Sequence, residues 1–498
     1  MNGLRFPKRG APRRIGAKAQ PPRAPLAGLR AHYAASGSAL LSDWFGTSAS
    51  ANGVTNREAR AIRRRARELR ENSSIVARYA ALCKDNIIGP TGVTFSAYVP
   101  STRGKNDAAS QDLEEKWYAW ADDATPDNRT LVQALRIMVE SWKVEGEALA
   151  IMGLRGDRLV IRPVDADLLD QDYSETRRNG NVVEQGVETD ATGRVVAYWI
   201  WDASEDDTAR RTRTRWDADD VLYIGHRTRP NQRRGISPLA PVMLLIHHLE
   251  RTDEALVILN RTAASKMFQF VAQGEWASPL LDPDGNPLHP DAANEEVGPG
   301  AQWVPPYGYR AETINPGQPT PEYDVLSKSL QRRIAAGLNV AHVSLSGDLT
   351  EANYGSQRGG LIGERDGWIV DQQQVIDDVM RPLFARWLRT EVMARRVQLP
   401  ITAMPSQVVA LSEWFGRRWA WIDPLKDAEG IKALLEMRLT SRTRELNKMG
   451  IDVRAIAEEI AAEEKVFAAL NVALPDVTPA PPSPPAPAAP ERTLRAVS

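Results

Sequence analysis

Between residues 235 and 338 the chain places two helical segments around a stretch that cannot be helical, and this order constrains the fold more than any other feature. The first segment, "GISPLAPVMLLIHHLERTDEALVILNRTAASKMFQF", predicts a helix with Ser237 as N-cap and Pro238 in its first turn. Running to about residue 266, it would be on the order of 40 Å long. Val242, Met243, Leu244, Leu245 and Ile246 make its first half apolar on most sides, so it needs other helices or subunits around it. Fifteen of the fifty residues from 271 to 320 are Pro or Gly, which predicts a small module of strands and turns. A second helix, "EYDVLSKSLQRRIAAGL", follows, with Val325, Leu326, Ser329, Leu330, Ile334 and Leu338 able to share one side. Helix, insertion, helix is a hairpin carrying a small head at its tip.

A chain of 498 residues is too long for one ordinary core and predicts two to four domains. Residues 1–30 hold eight Arg or Lys and no acid, which describes a flexible basic arm. Residues 55–82 read as one helix that begins with a Thr55/Glu58 capping box. Its arginines are interspersed with Glu58, Glu68 and Glu71, as on a solvated or intersubunit face. A helix covers 111–120. Another covers 129–143, with Leu131, Leu135, Met138, Val139 and Trp142 on one buried stripe. The strand signals "EALAIMGL", "RLVIRPVDADLLD", "VVAYWIW" and "DDVLYIGH" follow. Helices and then strands, without alternation, predict an α+β domain. A long helix beginning at Gly367 is expected to bend at Pro382. Short helices follow up to about residue 470, and a Pro/Ala-rich tail closes the chain.

The residues offer little for catalysis. A single cysteine, Cys83, excludes an internal disulfide framework or a multi-cysteine zinc site, and it reads as a buried helical thiol. A net charge of −1 argues against bulk polyanion binding. No apolar run approaches a membrane span, and the start carries no apolar signal segment, so the chain reads as one assembled in the cytosol. "LSGDLTEANYGSQRGGLIGERDG" (345–367) is rich in glycine, yet no Lys-Ser/Thr pair follows its glycines as a P-loop requires. The adjacent His247 and His248 point about 100° apart on a helix and cannot form an i,i+4 metal pair. Asp165, Asp167 and Asp170, and the run Asp217 to Asp220, could in principle bind Mg²⁺ for phosphoryl transfer. Both runs lie beside turns, where aspartate serves backbone N–H groups. The sequence therefore offers no catalytic, cofactor-binding or metal residue. Arg332-Arg333 and the segment from Arg358 to Arg365 could face DNA or pair with acids across a subunit boundary.

Seven words spread along the chain resemble the lambda-like family of tailed-phage portal proteins. They are "LRENSSIVARYAALCKDNIIGPTG" (69–92), "KVEGEALAIM" (143–152), "VVEQGVETDATGRVVAYWI" (182–200), "QRRGISPLAPVM" (232–243), "VPPYGYRAETINPGQPTPEYDVLSKSLQRRIAAGLNV" (304–340), "LSGDLTEANYGSQRGG" (345–360) and "WAWIDPLKDAEG" (419–430). The resemblance implies a structural protein that is not an enzyme and uses no cofactor. Such proteins typically form a ring of twelve subunits at one capsid vertex in the virion and seed head assembly. Their partners are the terminase large subunit, the major capsid or scaffold protein, the head-tail connector protein, and double-stranded DNA passing through the channel.

On that resemblance, residues 1–50 are a basic arm and 51–235 the first part of an α+β wing. The stem helices are 236–266 and 322–338, and the clip inserted between them is 267–321. Residues 339–353 are the channel loop, 354–410 the wing's long helix and return, 411–470 a wing-to-crown helical region, and 471–498 the tail. Leu345, Asp348, Glu351, Tyr354, Arg358 and Arg365 are the candidate channel or intersubunit residues, and Arg332 and Arg333 the candidate stem residues. The glycines after Leu345 are expected to form a hinge. The channel wall should not be strongly basic, because DNA must slide past it. The competing readings are another ring-forming connector or tail adaptor, and a metal-dependent DNA-processing enzyme working through the aspartate runs.

Overall fold

The computed structural model describes residues 49–102, 104–203, 211–264, 267–272, 309–314, 322–350, 354–419, 424–448 and 453–470. The elements all belong to the unit that begins at Ala51. Two helices open it, α1 (Ala51–Asn72) and α2 (Ser74–Cys83). The single helix expected over 55–82 therefore starts earlier and is interrupted at Ser73. There the backbone turns extended (φ −96°, ψ 121°) and the serine hydroxyl accepts from Val76 N–H. Serine competes for backbone partners in this way, which favours a cap over a helix interior. Thr55 is not a cap: it lies inside α1 and donates its hydroxyl to the Ala51 carbonyl at 2.8 Å. A π turn, Lys84–Ile88, extends α2 to Gly89. Cys83 is buried, and burial pushes its thiol up to about 12.

Strand β1 (Thr94–Ser96) and the short β2 (Pro100–Ser101) and β3 (Gly104–Lys105) precede α3 (Asp107–Ala121), which Asn106 caps. Helix α4 (Leu131–Glu145) opens with a Thr130/Gln133 capping box, and the five apolar residues of its expected stripe are all buried. Gly146 ends it at φ +100°, where an added Cβ would lie 2.2 Å from the Ile236 carbonyl carbon. Only glycine fits there.

The strands that follow are β4 (Glu147–Arg155), β5 (Arg158–Val164), β6 (Glu175–Thr176), β7 (Val182–Glu184), β8 (Val187–Thr189), β9 (Val195–Trp201), β10 (Arg213–Asp217) and β11 (Val221–Gly225). They form an antiparallel sheet of order β11-β4-β5 and a second of order β10-β9-β8-β7-β6. Leu149, Ile151, Tyr198 and Tyr223 pack in a small core involving both sheets. The α+β expectation holds.

Helix α5 (Met243–Ala264) begins six residues after Ser237, not at it. Pro238 and Pro241 lack donors, and the chain between them makes turns instead: Ala240 N–H donates to Ser237 O at 3.0 Å and Val242 N–H to Leu239 O at 2.9 Å. Its 22 residues span about 33 Å. Strands β12 (Met267–Ala272) and β13 (Tyr309–Ile314) pair antiparallel, and α6 (Glu322–Gly337) follows. Most of the expected clip lies outside the described residues.

Short α7 (His342–Ser346) precedes α8 (Tyr354–Val375), a π turn (Ile376–Met380) and α9 (Arg381–Met393). Pro382 sits in the first turn of α9, where its missing donor costs little, and the π turn just before it absorbs the irregularity. Helix α10 (Pro405–Leu411), strand β14 (Glu413–Phe415) and helices α11 (Pro424–Glu436), α12 (Arg442–Lys448) and α13 (Val453–Ala469) are the last of the described elements. Strand β14 returns to pair with β1. Phe95, Trp117, Trp120, Phe384, Trp387 and Trp414 meet near this closure in the main core, with Phe95 and Trp414 ring centroids 4.5 Å apart.

Candidate functional site

Five of the six aspartates that could have held a metal are taken by arginines. Asp165 binds Arg67 at 2.5 Å, and Asp167 binds Arg67 at 2.5 Å and also Arg63. Asp170 binds Arg213 at 2.7 Å, Asp217 binds Arg215 at 2.5 Å, and Asp220 binds Arg386 at 2.8 Å. Burial pushes the Asp167 carboxyl up, but Arg63 and Arg67 outweigh it and hold the group below the usual carboxylate range. Among the described residues, no group of three His, Cys, Asp or Glu side chains could hold a metal ion. The two-carboxylate centre that the enzymatic reading requires does not form at these aspartates.

The same arginines lead to a hub that sequence reasoning missed. Glu147, the first residue of β4, is completely buried. It accepts from Arg63 at 2.6 Å, from Arg234 at 2.5 and 2.9 Å, from the Tyr223 hydroxyl at 2.8 Å and from Gly235 N–H at 3.1 Å. Arg234 spends its remaining donors on the carbonyls of Ala166, Leu169 and Gln185. Burial opposes the charge on Glu147, but Arg234 and Arg63 overcome it and depress the carboxyl. The hub ties α1, β4, β11 and the segment 232–237 together just before the chain enters α5. Ser237 extends the anchor by donating its hydroxyl to Val144 O. The signal was present as one acid opening the otherwise apolar word "EALAIM" and two arginines in "QRRG".

From this anchor the two long helices leave the body. Helix α5 buries Ile246 and Leu249 near its start, just after the buried Val242, whereas no described α5 side chain from Glu250 to Arg261 is buried. Val257 and Ile258 are 57% and 54% exposed. Helix α6 is the mirror case: Ile334, Ala335 and Leu338 at its end are buried, and Val325 and Leu326 at its start are 69% and 52% exposed. The single buried side expected for α6 thus exists only at its root. There Gly337 admits Val242 so closely that an added Cβ would lie 2.4 Å from it. Farther out, Tyr323 donates its hydroxyl to Asp253 across the pair. Arg332 and Arg333 lie on the exposed side of α6, and His247 and His248 on the exposed side of α5.

The glycine-rich stretch is not one loop. It divides into the end of α7, an exposed turn ended by residues outside the described set, and a helix that starts at Tyr354, thirteen residues before the expected start at Gly367. Leu345 is 6% exposed and belongs to the main core. Gly347 leaves α7 at φ +72°. Asp348 then accepts from the Thr350 hydroxyl at 2.6 Å and its N–H at 2.9 Å, and these bonds lower its carboxyl. Glu351 and the Tyr354 side chain lie outside the described residues and atoms. Arg358 reaches Asp427 of α11 at 3.1 Å, and Arg365 lies over the Trp419 ring at 5.6 Å. Burial and neighbouring Arg417 lower the Arg365 guanidinium. The candidates therefore do not converge on a single pocket: Arg358 and Arg365 brace α8 against the C-terminal region, and the exposed turn carries Asp348.

A model of the family described as "Phage portal protein, lambda family" matches residues 37–372. The chain is 26% identical over 464 residues to the probable portal protein of Halomonas phage phiHAP-1, covering 88% of this chain and 86% of that one. It is 30% identical over 139 residues to portal protein B of Escherichia phage lambda, covering 27% and 26% of the two chains. Among solved structures, a chain from the neck of a native GTA particle, computed with C12 symmetry, aligns with a TM-score of 0.47 at 12% identity, covering 80% of this chain and 99% of that one. An HK97-family phage portal protein from Corynebacterium diphtheriae gives 0.32 at 11% identity, covering 69% and 96%. Both TM-scores lie below 0.5, so the family assignment rests on the sequence match.

Proposed function

Because this chain belongs to the lambda family of phage portal proteins, we propose that copies of it close a ring at one vertex of a phage capsid and that double-stranded DNA enters and leaves through the centre. The observation that carries the ring is the pair of apolar faces on α5 and α6, Val257, Ile258, Val325 and Leu326, which stay more than half exposed among the described residues. Apolar surface in this amount on two projecting helices marks an interaction site. A head-to-tail contact between copies closes into a ring when its rotation closes.

In this reading the Glu147 hub sets the angle at which α5 leaves the wing, so that every copy presents the same faces. The exposed turn that follows α7 lies beside the channel, and Asp348 contributes an acid there. DNA passes because the wall does not bind phosphate strongly. The ring would nucleate head assembly with the capsid or scaffold protein, dock the terminase large subunit at the insertion between α5 and α6, and later receive the connector protein. The arginine-bound aspartates favour this structural role over metal-assisted DNA cleavage. A connector or tail adaptor would share the ring but not the two-sheet wing joined to a stem–insertion–stem order.

Single-particle images of the purified protein test the proposal. A closed ring of about twelve copies with a hole wide enough for duplex DNA, roughly 20 Å or more, is the expected result. A stable monomer under conditions that promote assembly would overturn it.

A further inference from the structure

Three elements hold the turn that follows α6, and Glu364 is the group through which two of them meet. Ala341 occupies the N-cap of α7 and has no side-chain oxygen to accept a backbone N–H. Glu364 of α8 supplies one from across the fold. Its Oε2 accepts from Ala341 N–H at 3.4 Å and from the Ser344 hydroxyl at 2.6 Å, and its Oε1 accepts from the Trp368 indole N–H at 3.2 Å. From the third element, Arg78 of α2 donates to the Ser344 carbonyl at 3.0 Å. Glu364 is only 7% exposed, and Leu345, the residue after Ser344, is buried in the main core.

We infer that Glu364 is a positioning residue for DNA passage, fixing α7 to α8 so that the turn carrying Asp348 is presented to the channel at a set depth. This rests on the ring reading above, and on the exposed turn after α7 lying beside the channel. The chemistry selects a carboxylate. An ionised carboxylate accepts on both oxygens and offers no proton, so it can serve all three donors. Glutamine has one accepting oxygen and one donating nitrogen, so at least one of the three loses its acceptor. A buried carboxylate is costly to desolvate and persists where its hydrogen bonds are complete. The gain here is register: α7 cannot shift along α8 without breaking the Ser344 bond.

Full-length Glu364→Gln and Ser344→Ala variants test the inference by three readouts: ring formation in single-particle images, hydrogen exchange of the amides from 341 to 347, and DNA packaged per head in a reaction with capsids and terminase. Both variants should form rings at the wild-type concentration. Exchange over 341–347 should quicken at least tenfold in Glu364→Gln, and packaged DNA should fall at least fivefold, with a smaller fall in Ser344→Ala. Wild-type packaging by rings whose 341–347 segment exchanges faster would overturn the positioning role. Loss of rings in both variants would also overturn it, by making the contact a requirement of folding alone. A wild-type chain that never forms rings would remove the ring reading itself, and this inference with it.

Discussion

Replacing Glu147 with glutamine removes one negative charge from a site with no access to water and leaves the shape almost unchanged. Arg63 keeps its partner Asp167, but Arg234 loses the only carboxylate it bonds among the described residues and stays fully buried. Removing one member of a buried ion pair typically costs about 3–5 kcal/mol, because the remaining charge is neither solvated nor neutralised. For a cooperative unit of about 450 residues, an unfolding entropy of roughly 2.1 cal/mol/K per residue makes each kcal/mol worth about 1 °C, so Glu147→Gln should melt about 3–5 °C below the wild type. The double variant Glu147→Leu with Arg234→Met removes one charge of each sign and should recover a large part of that loss.

Acid titration supplies a second readout of the same hub. Glu147 is depressed in the folded protein from an ordinary value of 4.5. The unfolded chain therefore binds the proton more readily, and stability from this group is full above that ordinary value and fades as pH falls through the folded one. The double variant should lose stability less steeply in acid than the wild type. Differential scanning fluorimetry of the isolated subunit from pH 3 to 8 measures both effects. A single variant that melts within about 1 °C of wild type, or a double variant no better than the single, would refute the view that this hub is a paired, desolvated charge site.

Three further outcomes follow from the geometry. Gly146→Ala should lower subunit stability by about 1–3 kcal/mol in chemical denaturation, because φ is +100° and the Ile236 backbone already fills the Cβ position. Val325→Asp with Leu326→Asp should leave the subunit melting temperature within about 2 °C of wild type, as surface changes usually do, yet abolish rings in native mass spectrometry. Arg358→Ala with Arg365→Ala should leave the wing folded by circular dichroism but impair assembly or packaging, since the two residues join α8 to Asp427 and Trp419; normal assembly and packaging would remove any special role for the pair.

What could be read in the sequence followed how locally each feature was encoded. The α4 stripe needs only side chains three and four positions apart, and the wing strands need only alternation or short apolar runs between turns, so both were visible. The start of α5 was misplaced because Ser-Pro is a good helix opening wherever the next residues permit it, and here Pro241 delays the helix by a further turn. The first thirteen residues of α8 were hidden for a different reason. The buried described residues of the helix are Glu364, Trp368, Gln372 and Val375, at i,i+4 and i,i+3 spacing, and two of the four are polar. A hydropathy pattern cannot find such a face, and the glycines beside it suggest a loop. Tertiary bonds overrule that suggestion: Gln372 donates to the carbonyls of Asn86 and Arg417, and Glu364 accepts from α7.

The same reasoning explains why the hub at Glu147 was invisible while the aspartates beside it drew attention. Asp165, Asp167 and Asp170 stand close together in sequence, and proximity suggests a shared ligand. Their partners Arg63, Arg67 and Arg213 lie 43 to 104 residues away, so only the fold shows that each charge is already answered. Glu147 stands alone in an apolar word, with Arg63 at 84 residues and Arg234 at 87. An isolated acid at the head of a buried strand is costly unless a cation meets it. Its presence in "EALAIM" therefore implies a distant cation. What the sequence could not say is which of the chain's many arginines would answer. The choice of Arg234 couples the sheet that holds β4 to the root of α5, and so makes a burial requirement into a determinant of where α5 leaves that sheet.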